Sequence, residues 1–243
     1  MVEILIGALL AQQPDFEPLY RQALAQREHD LGQNAPRTVQ SRRDLALYLA
    51  GRGDHAAAAP FVEAAIATAT SPQAATALHN WAVGVEESHA ALAQRLYRKA
   101  LESRTRDLPA MDPELAATRL NLASLVVAST PSEAGQLAMA ALRALEGRSD
   151  GRAGAACGIL GAVYATQGNV PGAEQMFRRA LAVAEKVHGP QAPLTASALE
   201  NLADLLAQTG RELAARPLIQ RAEQIRARTR YPVDADPVIR KAQ

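Results

Sequence analysis

The stretch NLADLLAQTGRELAARPLIQRAE (residues 201–223) contains two short phrases that recur along the chain. Its second phrase, LIQRAE, has five counterparts: LYRQAL (19–24), FVEAAI (61–66), LYRKAL (96–101), LAMAAL (137–142) and MFRRAL (176–181). The fifth letter is Ala in all six copies, and successive copies lie 42, 35, 41, 39 and 42 residues apart. This interval is the length of a long helical hairpin, so the sequence predicts an array of helical repeats.

A further small residue belongs to the same pattern. In every copy but the first, an Ala stands three residues before the phrase, at Ala58, Ala93, Ala134, Ala173 and Ala215. Ala, a large apolar residue and Ala therefore recur at i, i+3 and i+7, which lie on one face of a helix. Such a stripe of small and large residues predicts close packing against a neighbouring helix.

The first phrase marks the preceding helix of each hairpin: DLA (44–46), NWA (80–82), NLA (121–123), ILG (159–161) and NLA (201–203). Its beginning is marked in four copies by a Pro, which the first turn of a helix tolerates, at Pro36, Pro72, Pro113 and Pro193. Its end is marked in three copies by a Gly, at Gly53, Gly168 and Gly210. We predict an opening helix near 16–31, first helices near 37–51, 72–86, 112–128, 151–167 and 192–208, and second helices near 54–69, 88–105, 132–146, 170–187 and 212–229.

We therefore divide the chain into an apolar N-terminal segment (1–15), a repeat domain (16–230) and an irregular C-terminal tail (231–243) that contains Pro232 and Pro237. Two interpretations of the segment Val2–Ala11 are open. It is either a buried first helix or a vestigial secretion signal, although Glu3 stands where a signal peptide has positive charge. The first interpretation predicts a cytoplasmic protein and the second an exported one.

Composition narrows the class of function. Apolar residues make up 48% of the chain and aromatic residues 4%, which predicts a core of Ala, Leu and Val between closely packed helices. The net charge of +1 provides no field to attract nucleic acid or an anionic membrane. The single cysteine, Cys157, excludes an intrachain disulfide and favours a reducing cytoplasm. The histidines show no metal-ligand spacing, so we expect no metal, no cofactor and no catalysis.

The residues quoted so far resemble a known family. The stretch AEKVHGPQAPLTASALENLADLLAQTGRELAARPLIQRAE (184–223) is similar to the tetratricopeptide repeat (TPR) of the kinesin-light-chain type, and EHDLGQNAPRTVQSRRDLA (28–46) repeats its long linker with Ala35 in place of the usual His. The resemblance implies an all-α, right-handed superhelical solenoid of about five TPR-like hairpins, with first helices lining a concave groove. In bacterial proteins such repeats also accompany nucleotide-binding or protease modules, but here the repeats fill the chain.

The Asn of the first phrase is the best candidate for ligand binding. Asn80, Asn121 and Asn201 occupy equivalent places, and Asp44 takes this place in the first hairpin. A row of carboxamides can hydrogen-bond a peptide backbone whatever its side chains are. The alternative is that each Asn holds its own hairpin together. Arg43 and His79 directly precede two of these positions and complete the predicted peptide-binding set.

We therefore predict a non-catalytic protein-protein interaction scaffold that binds a peptide or protein segment. A self-associating structural repeat protein is the first alternative. Nucleic-acid binding through the C-terminal helix, which carries Arg211, Arg216, Arg221, Arg226, Arg228 and Arg230, is the second. Acidic residues interrupt this arginine series, so we favour the interpretation that the helix has the polar outer face a terminal repeat needs.

Overall fold

The computed structural model describes residues 15–52, 54–68 and 70–230. The described part of the chain forms helices and no strands. The helices are α1 (Glu17–Leu31), α2 (Pro36–Gly51), α3 (His55–Thr68), α4 (Pro72–Val85), α5 (Ala90–Asp107), α6 (Pro113–Val126), α7 (Pro131–Leu145), α8 (Arg152–Thr166), α9 (Val170–His188), α10 (Pro193–Gln208) and α11 (Glu212–Arg230). Each predicted boundary lies within two residues of the observed one.

The helices belong to two compact units, Met1–Asp107 and Leu108–Gln243. In unit 1, α1 packs on α2, and the helices α2–α3 and α4–α5 form two hairpins. Unit 2 consists of three hairpins, α6–α7, α8–α9 and α10–α11, and in each unit the first helices of neighbouring hairpins touch. The predictions for residues 1–14, for Gly53 and for the tail 231–243 lie outside the described residues.

Four of the first helices begin at a proline, as predicted. Pro36, Pro72, Pro113 and Pro193 each occupy the first position of a helix, where no backbone N–H is required. Two of these helices are also capped by a side chain. The Ser71 hydroxyl accepts a hydrogen bond from the Ala74 N–H at 3.1 Å, and the Asp112 carboxylate accepts one from the Glu114 N–H at 2.7 Å. Gly168 and Gly210 end two helices with φ of 73° and 75°, a conformation that favours glycine.

The two long linkers of the kinesin-light-chain type fold in the same way. Thr38 and Thr195 are fully buried, and each donates a hydrogen bond to the carbonyl of the Gly six residues earlier. The oxygen–oxygen distances are 2.8 Å to Gly32 and 2.7 Å to Gly189. A hydroxyl that satisfies a loop carbonyl in this way fixes the linker against the helix that follows it. Ala35, which replaces His in the first linker, does not alter this arrangement.

The Ala stripe is the packing surface of the second helices. The fifth-letter Ala of the repeated phrase is at most 5% exposed at Ala65, Ala100, Ala141, Ala180 and Ala222. The Ala seven residues earlier in the chain is equally buried at Ala58, Ala93, Ala134, Ala173 and Ala215. Between these small residues, Leu and aromatic side chains fill the core, and each fully buried one contributes about 1.5–3 kcal/mol. Trp81 is such a residue, with 1% of its surface exposed.

The glycine series of α8 permits a close approach of α9. A Cβ on Gly161 would lie 2.6 Å from the Phe177 ring, and one on Gly154 would lie 3.3 Å from the Val183 side chain. Both neighbours belong to α9, so the glycines let α9 press against the backbone of α8. The lack of a Pro at the start of α8 and of an Asn at position 159, where Ile stands, therefore does not change the fold of this hairpin.

Candidate functional site

An open polar pocket lies between the first helices α2 and α4 of unit 1. Its volume is about 230 Å³. Two residues of the predicted binding set, Arg43 from α2 and Asn80 from α4, are part of its wall. The remaining wall residues are Pro36, Arg37, Gln40, Gln73, Thr76 and Ala77. We call this feature the α2/α4 pocket.

The chemistry of the α2/α4 pocket is that of a hydrogen-bonding surface with positive charge. Asn80, Gln40 and Gln73 are exposed, so their carboxamides are available as both donors and acceptors. None of the described residues that line the pocket is acidic. Among the described residues, no carboxylate forms an ion pair with the exposed guanidinium of Arg37. The pocket can therefore accept backbone amides together with a carboxylate.

Arg43 is restrained by the residue that follows it. Its Nε and one terminal nitrogen donate to the same oxygen of Asp44, at 2.9 Å and 2.7 Å. The two side chains are 29% and 32% exposed. Asp44 therefore neutralises part of the Arg43 charge and holds the guanidinium at the edge of the α2/α4 pocket.

His79 does not share the exposure of Asn80. It is 9% exposed, and its ring lies edge-on to the ring of Tyr97 with 5.4 Å between centroids. Burial, together with the nearby charge of Arg104, lowers the pKa of His79 to about 4. The imidazole is therefore neutral at pH 7 and belongs to the contact between α4 and α5, so a ligand in the α2/α4 pocket would not meet its side chain.

The other two Asn residues of the predicted row lie in unit 2. Asn121 on α6 is half-buried, whereas Asn201 on α10 is exposed. The Asn201 carboxamide lies beside Gly158 of α8, 4.0 Å from the point where a Cβ would stand. Ile159 of α8 stands at the place that Asn occupies in the neighbouring hairpins, so the row of Asn residues is interrupted there.

The charges near the last hairpin are paired within unit 2. Arg226 donates to both carboxylate oxygens of Glu200, at 3.1 Å and 2.8 Å. Arg211 pairs with the buried Glu174, and Arg221 pairs with Glu185. Three of the C-terminal arginines are thus paired with carboxylates of α9 and α10.

Catalysis by the one cysteine would need a reactive thiol, and metal binding would need a cluster of ligands. Cys157 is fully buried, and burial raises the pKa of its thiol. Within residues 15–52, 54–68 and 70–230, no three His, Cys, Asp or Glu side chains come together as a metal site would require.

Two other cavities have mostly apolar walls. One, of about 430 Å³, lies between α7 and α8 beside Met139 and Tyr164. The other, of about 220 Å³, lies in unit 1 beside Leu47 and Trp81.

The sequence contained a signal for the pocket residues that our prediction missed. Gln73, Thr76 and Asn80 stand at i, i+3 and i+7, so the polar face of α4 extends over the two turns before Asn80. Arg37, Gln40 and Asp44 repeat this spacing on α2. The pattern of one equivalent residue per hairpin selected Asn80 and Asp44, but not the polar residues one and two turns before them on the same helices.

Known proteins share this arrangement of helical hairpins. The fold is that of a helical-hairpin repeat protein. Residues 152–228 match the family model of the tetratricopeptide repeat, so this part of the chain consists of TPR hairpins. No curated protein sequence matches the chain.

Solved structures share the fold over most of the chain. BtubC (BKLC) from P. vanneervenii is 20% identical, with a TM-score of 0.66 over 88% of this chain and 91% of that chain. The nearly identical TPR-like repeats of a putative kinesin light chain from Podosopora anserina are 20% identical, with a TM-score of 0.60 over 81% and 99%. The quorum sensor NprR from B. thuringiensis is 15% identical, with a TM-score of 0.50 over 92% and 69%.

These comparisons confirm the predicted all-α repeat fold and its TPR class, and they place kinesin-light-chain repeats among the proteins of similar fold. At these identities the likeness concerns the fold and not the ligand. Of the described helices, none has the length and hydropathy that crossing a membrane requires.

Proposed function

We propose that the protein is a non-catalytic, cytoplasmic interaction scaffold whose α2/α4 pocket binds an extended segment of another protein. The observation that carries the proposal is the pocket itself. Arg43 and Asn80, selected from two different hairpins by their place in the repeat, line one open cavity of about 230 Å³. The neighbouring carboxamides of Gln40 and Gln73 suit the backbone of an extended peptide, which presents an N–H and a C=O at each residue.

The charge of the pocket indicates which segment it would select. Arg37 lacks a carboxylate partner among the described residues, and the pocket wall contains no acid. An Asp, Glu or C-terminal carboxylate of the ligand would pair with this guanidinium, which can donate two parallel hydrogen bonds. We therefore expect the bound segment to be acidic. Asn121 and Asn201 of unit 2 stay predicted ligand contacts.

A library of displayed peptides selected against the full-length protein tests this proposal. We expect the enriched peptides to contain Asp or Glu. A selected peptide should lose about tenfold or more in affinity for Arg37→Gln, because a hydrogen bond to a charged group contributes about 1.5–3 kcal/mol. Asn80→Ala should cost about two- to tenfold, because a neutral hydrogen bond contributes about 0.5–1.5 kcal/mol. Arg148→Gln is the matched control, since Arg148 is equally exposed, lies in unit 2 and undergoes the same change of charge.

Both pocket residues are exposed, so neither substitution should lower the melting temperature by more than about 1 °C. Equal binding of the selected peptides by the pocket variants and by the wild type would show that the α2/α4 pocket is not the binding surface. Enrichment of basic or purely apolar peptides would contradict the role of Arg37.

A further inference from the structure

The cavity of about 220 Å³ in unit 1 lies between the hairpins α2–α3 and α4–α5, and all four helices contribute to its wall. We call it the Trp81 cavity. It shares no wall residue with the α2/α4 pocket, so an inference drawn from it does not depend on the proposed function. Five wall residues are at most 8% exposed and form its floor: Ala46, Ala58, Val62, Trp81 and Val85.

The cavity exists because α3 has a small side chain where other second helices have a ring. Val62 is the second letter of the repeated phrase, and the same place is taken by Tyr97 on α5 and Phe177 on α9. Both rings are buried, at 0% and 6% exposed. The Phe177 ring fills the space over Gly161, the third letter of the first phrase. In the first hairpin these two places are taken by Val62 and Ala46, which leave the corresponding space open.

Trp81 is an exception to the repeat pattern at the floor of this cavity. The second letter of the first phrase is Leu in the other four hairpins, so a purely apolar side chain satisfies this buried place. In the second hairpin, Trp adds an aromatic face and one N–H donor. It is the only Trp of the chain. The four Leu residues are at most 4% exposed: Leu45, Leu122, Leu160 and Leu202.

The donor that Trp81 adds is not used within the described chain. Its indole N–H has no hydrogen-bond partner among the described residues, although Trp81 is only 1% exposed. Buried polar groups of native proteins are nearly always hydrogen-bonded, because an unsatisfied one destabilises the fold. The other four side chains of the floor are apolar, whereas a buried water molecule needs two to four polar partners. An acceptor atom on an otherwise apolar molecule therefore suits this floor better than water.

The opening of the Trp81 cavity favours a neutral ligand. Glu63 of α3 and Arg95 of α5 are exposed wall residues, and one terminal nitrogen of Arg95 donates to both Glu63 oxygens, at 2.6 Å and 2.7 Å. The two charges offset each other. Leu47, which is 41% exposed, continues the apolar wall to the surface. A charged ligand would lose its hydration on entering and find no opposite charge on the floor.

We propose that the Trp81 cavity binds a small, neutral aromatic compound that carries one hydrogen-bond acceptor, such as an aryl ketone. The ring packs against the indole and the apolar floor, and the carbonyl oxygen accepts a hydrogen bond from the Trp81 N–H. An apolar protein cavity of about 150 Å³ holds benzene. The larger volume of about 220 Å³ therefore has room for one ring with a short substituent.

Two probes of the same shape test this proposal on the full-length protein. Acetophenone and isopropenylbenzene differ only in a carbonyl oxygen that a methylene group replaces. Because Trp81 is the only Trp, its indole N–H gives a single signal in the proton–nitrogen NMR spectrum. We expect acetophenone to shift this signal downfield in a saturable way, and isopropenylbenzene to shift it less. A signal that does not move up to the solubility limit of acetophenone would overturn the proposal.

The contribution of the N–H can be measured by calorimetric titration of the wild type and Trp81→Phe with both probes. The preference for acetophenone over isopropenylbenzene should fall by about two- to tenfold in the variant, as expected for one neutral hydrogen bond. The change in cavity size affects both probes alike and cancels in this ratio. An unchanged preference would show that the Trp81 N–H does not recognise the ligand.

Filling the cavity tests where the probes bind. Val62→Phe introduces the kind of ring that Tyr97 provides on α5, so this variant should bind neither probe measurably. Val83→Phe is the matched control, because Val83 lies on α4, is 51% exposed and is not part of the cavity wall. Undiminished binding by a folded Val62→Phe would overturn the assignment to the Trp81 cavity. If circular dichroism shows that Val62→Phe does not fold, the indole signal of the wild type decides the question.

Discussion

Replacing His79 by Leu should remove most of the acid sensitivity that this histidine gives to unit 1. The pKa of His79 is about 4 in the folded protein, against the ordinary value of 6.5 for histidine. Below pH 6.5 the unfolded chain therefore binds a proton that the folded chain does not, and stability falls as the pH falls. Since one pKa unit corresponds to 1.36 kcal/mol, the loss is about 2 kcal/mol at pH 5 and approaches about 3 kcal/mol below pH 4.

The third hairpin shows that Leu fits this position. Leu120 stands where His79 stands in the second hairpin, directly before the Asn of the first phrase, and it is 4% exposed. We therefore expect His79→Leu to fold at pH 7 with unchanged helix content. At lower pH the variant should be more stable than the wild type by the amounts given above.

Urea unfolding followed by circular dichroism, at a series of pH values between about 7 and 4.5, measures this difference. All other titrating groups are common to both proteins, so their effects cancel in the comparison. Parallel pH profiles for wild type and His79→Leu would refute the reasoning, because they would show that His79 binds protons equally in the folded and unfolded chains.

The packing of α8 and the buried arginine of α2 provide two further tests by urea unfolding. Gly161→Ala should destabilise the protein by about 1–3 kcal/mol because its Cβ would lie 2.6 Å from the Phe177 ring. Gly158→Ala, whose Cβ would have no neighbour closer than 4.0 Å, should stabilise α8 by about 0.5–1 kcal/mol, and equal effects of the two changes would contradict the close helix contact. Arg42 is 2% exposed and donates to Glu28 at 2.6 Å and to the Gln33 carbonyl at 3.0 Å, so Arg42→Met should cost about 1–3 kcal/mol through the loss of these hydrogen bonds, whereas a cost below about 1 kcal/mol would show that they are dispensable.

The helix boundaries were predictable because they depend on backbone requirements that a single residue, such as Pro or Gly, indicates in the sequence. A Pro at the first helical position and a Gly with positive φ after the last are visible in any sequence. The Ala stripe was predictable for a similar reason, since only a small side chain permits a close helix contact. The division into two units after Asp107 was not predicted, because the linker that follows resembles the other linkers in composition.

The candidate site was predictable only in part. The repeat pattern selected Arg43 and Asn80, and both line the α2/α4 pocket. The same pattern also selected His79, which stands beside Asn80 in the sequence but is buried against Tyr97. Neighbours along a helix point about 100° apart, so an equivalent place in the repeat does not fix the surroundings of the adjoining side chain. Leu120, an apolar residue at the matching position of the third hairpin, indicated that the side chain at this position is buried.

Some ion pairs of the protein join residues that are near one another in the sequence. Arg42 and Glu28 are 14 residues apart, Arg226 and Glu200 are 26 apart, and Arg211 and Glu174 are 37 apart. Each of these spans no more than one hairpin of about 40 residues. Contacts of this range require only short loops to close, so folding can start at any hairpin and spread to the next. Insertion or loss of one whole hairpin would therefore break only the ion pairs at its own boundaries, such as Arg211 with Glu174, and would leave those within other hairpins intact. This gives an array of this kind a simple way to change its length.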